Sequence, residues 1–517
     1  MSVYETINMK LPIFTLYFLS YLFISKDLIL IFTSVRIRMI YCYNDYQSSK
    51  ATIEFELQDK SIDSINNGKN DTTLTTTVQE ISIYDIRTKL QRNLILAIIS
   101  SIAFLLPFCD TVYEPALKEI VISLNTSTTL VTMSISIYLS MSGVFSLVWG
   151  AVSDRFGRKI TLIVALIIFI VATIVCIFAP TIGVLIVFRT LEGATISVAL
   201  VVGQSLVADI FPEEKRGMAT GAFFLPFNIG PIVGPVIGGP LSYAFGWRST
   251  FIFLTICSFI AIVVTIFLIP ETHQYFAMEH FHKTNPNKRI IDAQPTEKPS
   301  FEKPWKSLVH LIDLTILPYM AIAATADCIV IVSSALFSIF LSEPPYSYTE
   351  NIIGYLYIPS GVILAIGSIF GGWISDKANI YFGQGKCLEG RLVPALGLSI
   401  LIPIGLIIYG WIFDYKLNVV GSIIGMCLIG FGQTAVESAV STYLTSKKQS
   451  EAAAVIAANT FFNFIAAGII LVCAVPMYNA MGIGPYFSFL AGLNIITIVW
   501  SGVLVYKNVK RGGYVAM

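Results

Sequence analysis

The sequence carries little charge. Of its 517 residues only 13% are Asp, Glu, Lys or Arg, about half the share found in soluble domains, whereas 55% are hydrophobic. Such an excess of apolar residues needs lipid as well as a protein core for its burial. The composition therefore excludes a water-soluble enzyme. The net charge is only +1 and there is no long basic run, so the chain also lacks the positive field that attracts nucleic acid.

Motifs for metals, nucleotides and catalysis are missing as well. The eight Cys are scattered without a CxxC pair, which argues against a disulfide framework or a structural zinc site. No GxxxxGK[ST] loop is present to bind ATP phosphates. Of the four His, three lie in one polar segment, at 273, 280 and 282, so no catalytic Ser/His/Asp set is visible. We expect neither catalytic residues nor a cofactor or metal.

Long apolar stretches, by contrast, are numerous. A helix needs about 20 apolar residues to cross the hydrocarbon of a bilayer, and the chain has twelve such stretches. The predicted spans 1 to 12 are 94–114, 131–151, 160–179, 182–206, 218–240, 250–269, 314–341, 352–374, 393–412, 418–440, 452–474 and 484–506. The polar segment 271–313 separates two sets of six. The sequence thus predicts an all-α polytopic membrane protein with six-helix bundles at 94–270 and 314–506 and a short tail, 507–517.

The basic residues predict the orientation. Loops on one side hold 22 of the 33 Lys and Arg, and the opposite loops hold three: Lys118, Arg248 and Lys416. By the positive-inside rule, both termini and the central segment face the cytoplasm. We expect residues 1–93 to form a cytoplasmic, largely disordered tail. Its apolar segment 11–32 is interrupted by a Lys-Asp pair and could be a signal-anchor-like segment or an interfacial helix.

An internal repeat indicates a transporter. The pattern SxxxGxxSD ends both span 2, at 146–154, and span 8, at 368–376, which are the second spans of their halves. Small residues four apart let helices approach closely in lipid. Two parallel halves related in this way are the architecture of secondary transporters, which bind substrate near the membrane midplane.

Three motifs resemble those of one family. The stretch 150–159, GAVSDRFGRK, resembles the loop 2–3 signature of the major facilitator superfamily, and 185–193, LIVFRTLEG, is similar to its span 4 motif. The stretch 230–239, GPIVGPVIGG, is similar to the span 5 motif of proton-driven exporters in the twelve-span drug:proton antiporter group, which includes fungal multidrug exporters. The likeness extends over about 94–506.

The resemblance implies the major facilitator fold and a drug efflux antiporter that exports small organic compounds in exchange for protons. It implies a monomer with the lipid bilayer, protons and substrate as its partners, in the plasma membrane first and a vacuolar or other internal membrane second. A proton-coupled importer on the same fold and a membrane sensor that no longer transports remain alternatives.

Charged and small residues of loop 2–3 are candidates for gating. We expect a rigid, charged latch whose ion pairs reach neighbouring helix ends and break when the halves rock; simple positive-inside charge is the alternative. The gating candidates in loop 2–3 are Gly150, Asp154, Arg155, Gly157 and Arg158. Asp376, which ends the same repeat in span 8, is the sixth candidate.

Ionisable residues inside spans are costly and are therefore functional candidates. Asp110 and Glu114 are four residues apart in span 1, so we expect them on one face, with Glu114 nearer the outer water. Their mutual repulsion favours proton uptake. Arg189 is the single basic residue deep within a span and needs a partner. We predict that Asp110, with Glu114 as the alternate, carries the proton and that Arg189 biases the pKa of that carboxyl group. Glu192 is either the local partner of Arg189 or a cavity residue.

Span 5 is rich in glycine and proline. We predict that it forms a preorganised interface with span 8 that seals the cytoplasmic side, the alternative being a merely kinked structural helix. Its motif residues are Gly230, Pro231, Gly234, Pro235, Gly238 and Gly239, and the expected partners in span 8 are Gly361, Gly367, Gly371 and Gly372.

Candidates for the substrate cavity are aromatic and polar residues within the spans. They are Tyr138, Glu192, Phe223, Phe227, Asp327, Glu437, Asn459 and Asn463. Asp327 and Glu437 suit either a cationic substrate or a proton.

Overall fold

The structure is a computed structural model. It describes residues 79–81, 84, 87–284, 288–290, 304–382, 388–447 and 452–511. The first 78 residues, including the apolar segment 11–32, lie outside the described residues.

Twelve helical segments in the described part of the chain are long and apolar enough to cross a membrane. Spans 1 to 12 are Lys89–Ser123, Thr128–Phe156, Arg158–Ile177, Ile182–Ile210, Met218–Phe245, Arg248–Leu268, Leu317–Ser342, Glu350–Tyr381, Leu388–Asp414, Val419–Lys447, Ala454–Met481 and Ile483–Lys510. The prediction of twelve spans in an all-α membrane fold is confirmed.

Span 1 is broken near its end. It consists of helices Lys89–Ala103, Leu105–Thr111 and Leu117–Ser123, with the 3-10 turn Glu114–Ala116 before the last. Pro115 lacks a backbone N–H and cannot continue the hydrogen-bond ladder, so the regular helix stops ahead of it. The break separates Asp110 from Glu114.

Three other spans are also made of more than one helix. Span 4 comprises Ile182–Ile196 and Val198–Ile210, span 8 comprises Glu350–Leu356 and Ile358–Tyr381, and span 9 comprises the 3-10 turn Leu388–Leu392 with Val393–Ser399 and Leu401–Asp414. The helices of spans 5, 11 and 12 are longer than the spans given above and are Glu213–Phe245, Ala452–Met481 and Ile483–Arg511. Span 5 stays one helix although four prolines lie inside it.

The central segment contains regular structure, although the sequence predicts a polar loop. A helix, Gln274–Thr284, and a 3-10 helix, Pro304–Ile312, lie within it, and Lys288–Ile290 pairs as a short parallel strand with Gln79–Ile81. Met278 of the first helix is buried and packs with Tyr84 and Phe281. These apolar contacts give the helix a reason to form beside the bundle.

The two bundles contact each other at one end of the spans. We call the side with the loops rich in Lys and Arg the basic side, and the opposite side the far side. On the far half, Gly468 of span 11 lies against Ser136 and Ser140 of span 2. On the basic half, Gly221 of span 5 and Gly372 of span 8 have no neighbouring atom within 4 Å of the position that a Cβ would occupy. Contacts between the bundles therefore close the far side in this conformation.

Candidate functional site

A buried arginine organises the N-terminal bundle. The side chain of Arg189 is fully buried, and its Nη1 donates a hydrogen bond to Glu192 Oε2 at 2.9 Å, one turn along span 4. Nη1 also lies 3.3 Å from the carbonyl oxygen and 3.1 Å from the Sγ of Cys109. The rings of Tyr113 and Tyr138 lie 4.5 and 4.1 Å from the guanidinium carbon. Both rings stabilise the cation through their faces, so the guanidinium is held rigidly.

Asp110 approaches this cation from span 1 without a hydrogen bond to it. Its Oδ1 lies 4.0 Å from Arg189 Nη2, and neither atom has a hydrogen-bond partner among the described residues. The structure brings together the pair named from the sequence, but the direct partner of Arg189 is Glu192. Because Glu192 is fully buried, it does not line a cavity in this conformation. Asp110 is the more loosely held carboxylate of the two.

Glu114 lies elsewhere than expected. The break in span 1 turns it from the Arg189 site, and its Oε2 accepts a hydrogen bond from Ser334 Oγ of span 7 at 2.7 Å. Only 1% of Glu114 is exposed, so it does not face the outer water. The regular helix ends at Thr111, so helical spacing does not by itself set the direction of Glu114, and the shared face with Asp110 stays a prediction.

The aromatic cavity candidates of the N-terminal bundle are mostly buried. Tyr138 is fully buried, belongs to the arginine site and donates its hydroxyl to the Leu106 carbonyl oxygen at 2.7 Å. Phe223 is also fully buried, against Gly203. Neither lines a cavity here. Phe227 is partly buried, with its ring centre 5.9 Å from that of Phe224.

The C-terminal bundle has a second polar cluster around Asp327 of span 7. Its two carboxylate oxygens accept hydrogen bonds from Gln433 Nε2 at 2.5 Å and Asn463 Nδ2 at 2.6 Å. The structure thus brings together two predicted residues from spans 7 and 11. Gln433 of span 10 was missed by the sequence reasoning. The sequence feature that could have identified Gln433 is an amide side chain one helical turn before Glu437 in an otherwise apolar span.

Glu437 and Asn459 lie one helical turn from Gln433 and Asn463, respectively. Their buried oxygens, Glu437 Oε2 and Asn459 Oδ1, have no hydrogen-bond partner among the described residues. The carboxylate of Asp327 is satisfied by amides alone. No Lys or Arg side chain in the described ranges forms an ion pair with Asp327 or Glu437. Among the described residues, the two acids of this cluster therefore lack the neutralising cation that the arginine site of the other bundle has.

The loop 2–3 latch is built inside the N-terminal bundle. Arg158 donates to Asp154 Oδ1 at 2.6 Å, to Ser153 Oγ at 2.7 Å and to Asp209 Oδ2 of span 4 at 3.1 Å. These bonds join the ends of spans 2, 3 and 4. The expected pairs that break between halves are not among them. Asp209 was not recognised as a latch residue.

Gly157 and Glu271 form the tightest part of the latch. The carboxylate of Glu271, just after span 6, accepts hydrogen bonds from the backbone N–H groups of Arg158 at 2.9 Å and Lys159 at 3.2 Å. It thereby caps the N-terminus of span 3, where a negative charge is favourable. Gly157 has a φ of +98°, and a Cβ there would lie 2.6 Å from Glu271 Oε2. Only glycine fits this position without strain.

The remaining gating candidates are less constrained. Gly150 has Val201 of span 4 as its neighbour, and Arg155 is half-buried in the last turn of span 2. Asp376 lies 3.4 Å from Arg391 and is exposed. The same bundle has a better buried pair, Glu389 with Lys447 at 3.2 Å.

Three glycines of span 5 face a different partner from the one predicted. Gly230, Gly234 and Gly238 lie against Pro107, Thr111 and Val112 of span 1.

Contact with span 8 is made at the far side, where Gly239 and the Pro235 carbonyl oxygen meet Gly354, and Ile232, next to Pro231, meets Gly361. Gly367 and Gly371 lie against span 10 instead. The cytoplasmic seal between spans 5 and 8 stays a prediction.

Two six-span bundles, with a buried arginine site in one and an acidic polar cluster in the other, define the class as a two-bundle membrane transporter. A family model described as Major Facilitator Superfamily matches residues 99–471. The chain belongs to the major facilitator superfamily.

Curated fungal relatives span most of the chain. The MFS antiporter QDR3 of Candida albicans is 27% identical, covering 82% of this chain and 78% of its own length. The MFS-type transporter penM of Penicillium rubens is 31% identical, and the match covers 75% of this chain and 78% of that protein. The multidrug transporter DTR1 of Candida glabrata is 27% identical, covering 90% and 94%.

Solved structures share the fold. A bacterial homolog of the human lysosomal transporter Spinster, in an inward-facing and unoccupied conformation, superimposes with a TM-score of 0.58 at 14% identity, covering 83% of this chain and 98% of that one. A POT family transporter in complex with a thioalcohol-conjugated peptide gives 0.60 at 13% identity, covering 80% and 96%.

Proposed function

We propose that the protein is a proton-coupled antiporter that exports small organic compounds by alternating access. The observation that carries this proposal is the loosely held Asp110 beside the rigid Arg189. Relatives named as antiporters and multidrug transporters support the direction of transport.

Asp110 is the proposed proton carrier. At 4.0 Å and an effective dielectric constant of 20, its attraction to Arg189 is about 4 kcal/mol before desolvation. Protonation removes that attraction, whereas Glu192 and the two tyrosine rings keep Arg189 in place. Uptake and release of one proton therefore change the energy of the bundle without dismantling the arginine site. That change biases the equilibrium between the two conformations.

The proposed substrate path passes the polar cluster of the C-terminal bundle. Asp327 has amide partners there, and neither Asp327 nor Glu437 is ion-paired with a Lys or Arg in the described ranges. A cationic group of a substrate, or a second proton, would supply the missing positive charge. Asn459 and Asn463 offer amide groups for polar parts of the substrate.

The basic side is proposed to face the cytoplasm. The conformation closed at the far side is then the one that admits substrate from the cytoplasm. The N-terminal tail, the central segment and the C-terminal tail would all lie on that side. We place the protein in the plasma membrane, with a vacuolar or other internal membrane as the second choice, and a single chain suffices for the mechanism.

Transport in proteoliposomes tests the proposal. Accumulation of a panel of cationic, neutral and anionic compounds is measured with and without an imposed pH gradient. We expect opposite movement of protons and at least one compound, abolished by Asp110→Asn and unchanged by Glu343→Gln, an exposed acid on the far side. Movement in the same direction as protons would identify an importer instead. Accumulation that ignores the gradient for every compound would refute proton coupling.

A further inference from the structure

Three serines on one face of span 7 meet span 1 across the boundary between the bundles. Ser334 Oγ donates to the carboxylate of Glu114 at 2.7 Å, and Ser338 Oγ donates to the Glu114 carbonyl oxygen at 2.5 Å. Further toward the far side, Lys118 Nζ donates to the carbonyl oxygen of Ser342. The serines are spaced by four residues, one helical turn each, so the contacts form a continuous ladder between the bundles.

The ladder is buried at its centre. Glu114 is 1% exposed, and no Lys or Arg in the part of the chain that the structure describes forms an ion pair with it. Tyr357 of span 8 donates its hydroxyl to the Ser334 carbonyl oxygen at 2.6 Å, which fixes the backbone that presents the serine hydroxyl. A buried carboxylate that loses a hydroxyl donor bears an unfavourable desolvation cost.

The hydroxyl of Ser334 can reach Glu114 only while spans 1 and 7 are adjacent. We propose that Glu114 is a positioning residue of the transport cycle, which keeps the far side closed by binding span 7 through its carboxylate and its backbone carbonyl. Opening to the far side separates these groups. This role goes beyond the proposed function, since it requires neither proton coupling nor export.

Distance measurements between the bundles test this role directly. Spin labels are placed at Ile122 and Glu343, two exposed positions at the far ends of spans 1 and 7, in a background freed of reactive native cysteines. Pulsed dipolar spectroscopy in proteoliposomes then gives the ratio of open to closed far side. Ser334→Ala and Glu114→Ala should each raise that ratio at least about tenfold, as expected for losing a hydrogen bond to a charged group.

Three further variants separate this role from a general loss of stability. Ser333→Ala is the matched control, because the neighbouring hydroxyl has no hydrogen-bond partner among the described residues and should leave the ratio unchanged. Glu114→Gln keeps an acceptor oxygen and should remain closed. The double variant of Glu114→Ala with Ser334→Ala should open no further than the stronger single variant.

The proposal is overturned if Ser333→Ala and Ser334→Ala shift the ratio equally, if Glu114→Ala leaves it unchanged, or if Glu114→Gln opens as far as Glu114→Ala. Because the readout needs no pH gradient and no substrate, failure here is distinct from failure of proton-coupled transport.

Discussion

The two carboxylates beside Arg189 should respond differently to removal of their charge. Glu192 accepts a direct hydrogen bond of 2.9 Å from Arg189 between fully buried side chains, whereas Asp110 lies 4.0 Å from Arg189 without a hydrogen bond to it. Removing one partner from a buried ion pair costs about 3–5 kcal/mol, because a charge is left uncompensated. For Glu192→Gln we expect about 3 kcal/mol, since both tyrosine rings still face the cation.

Asp110→Asn should cost less than about 1 kcal/mol of stability, because the desolvation cost of the buried carboxylate offsets most of its attraction to Arg189. Its neutral form is a normal state of the cycle if Asp110 carries the proton, and Glu192 continues to compensate Arg189. Transport driven by a pH gradient should nevertheless be lost. The two variants therefore separate stability from coupling.

Thermal unfolding in detergent with a thiol-reactive dye measures this difference. Cys109, Cys176 and Cys328 are buried, so their labelling reports unfolding. The midpoint should fall clearly for Glu192→Gln and stay near that of the unchanged protein for Asp110→Asn. Equal losses of stability in the two variants would show that Asp110 is a structural partner of Arg189, and the reasoning would be wrong.

Three further predictions concern the latch, the central segment and the C-terminal bundle. Gly157→Ala forces a side chain at φ +98° into Glu271 and should destabilise the protein by about 1–3 kcal/mol, measured by the same unfolding assay, with Gly492→Ala in open space as the control. Burial lowers the pKa of His273, so stability should decline as the pH falls below about 6.5, and His273→Gln should flatten that decline in unfolding curves taken from pH 7.5 to 5.5; an unchanged slope would contradict it. Asp327→Asn should weaken binding of cationic compounds at least about tenfold in competition assays and spare neutral ones; equal loss for both would show a structural effect.

The fold was predictable because the membrane imposes a simple rule. Every span needs about 20 apolar residues and satisfied backbone groups, so length and hydropathy alone locate twelve helices. The central segment was predicted less well. Its helix Gln274–Thr284 is amphipathic and short, and Met278 packs there against Tyr84, which is distant in sequence, as well as against Phe281.

The site was predictable only in part. A charged residue stands out in an apolar span because such residues are rare there, but the sequence does not show which residues it contacts. Arg189, Asp110 and Asp327 stand out as charges within apolar spans, and each lies in a polar cluster. The direction of Glu114 depends on the turn at Pro115, which helical periodicity ignores. Glu271 was missed because its function is to accept backbone N–H groups 113 and 112 residues away, a contact without a local pattern.

The contacts of the span 5 glycines show the same limit. A face of small residues predicts close packing, and Gly230, Gly234 and Gly238 do pack closely. Which helix occupies that face depends on the arrangement of all the spans. The partner is span 1, whereas Gly239 on the neighbouring face meets span 8.

Proton release on substrate binding tests the central claim most directly. The purified protein in weakly buffered detergent is mixed with a transported compound at neutral pH, and the pH change is recorded. We predict that binding expels up to about one proton per chain from the unchanged protein and none from Asp110→Asn, with the compound still bound. Equal proton release from both proteins would contradict Asp110 as the site of exchange.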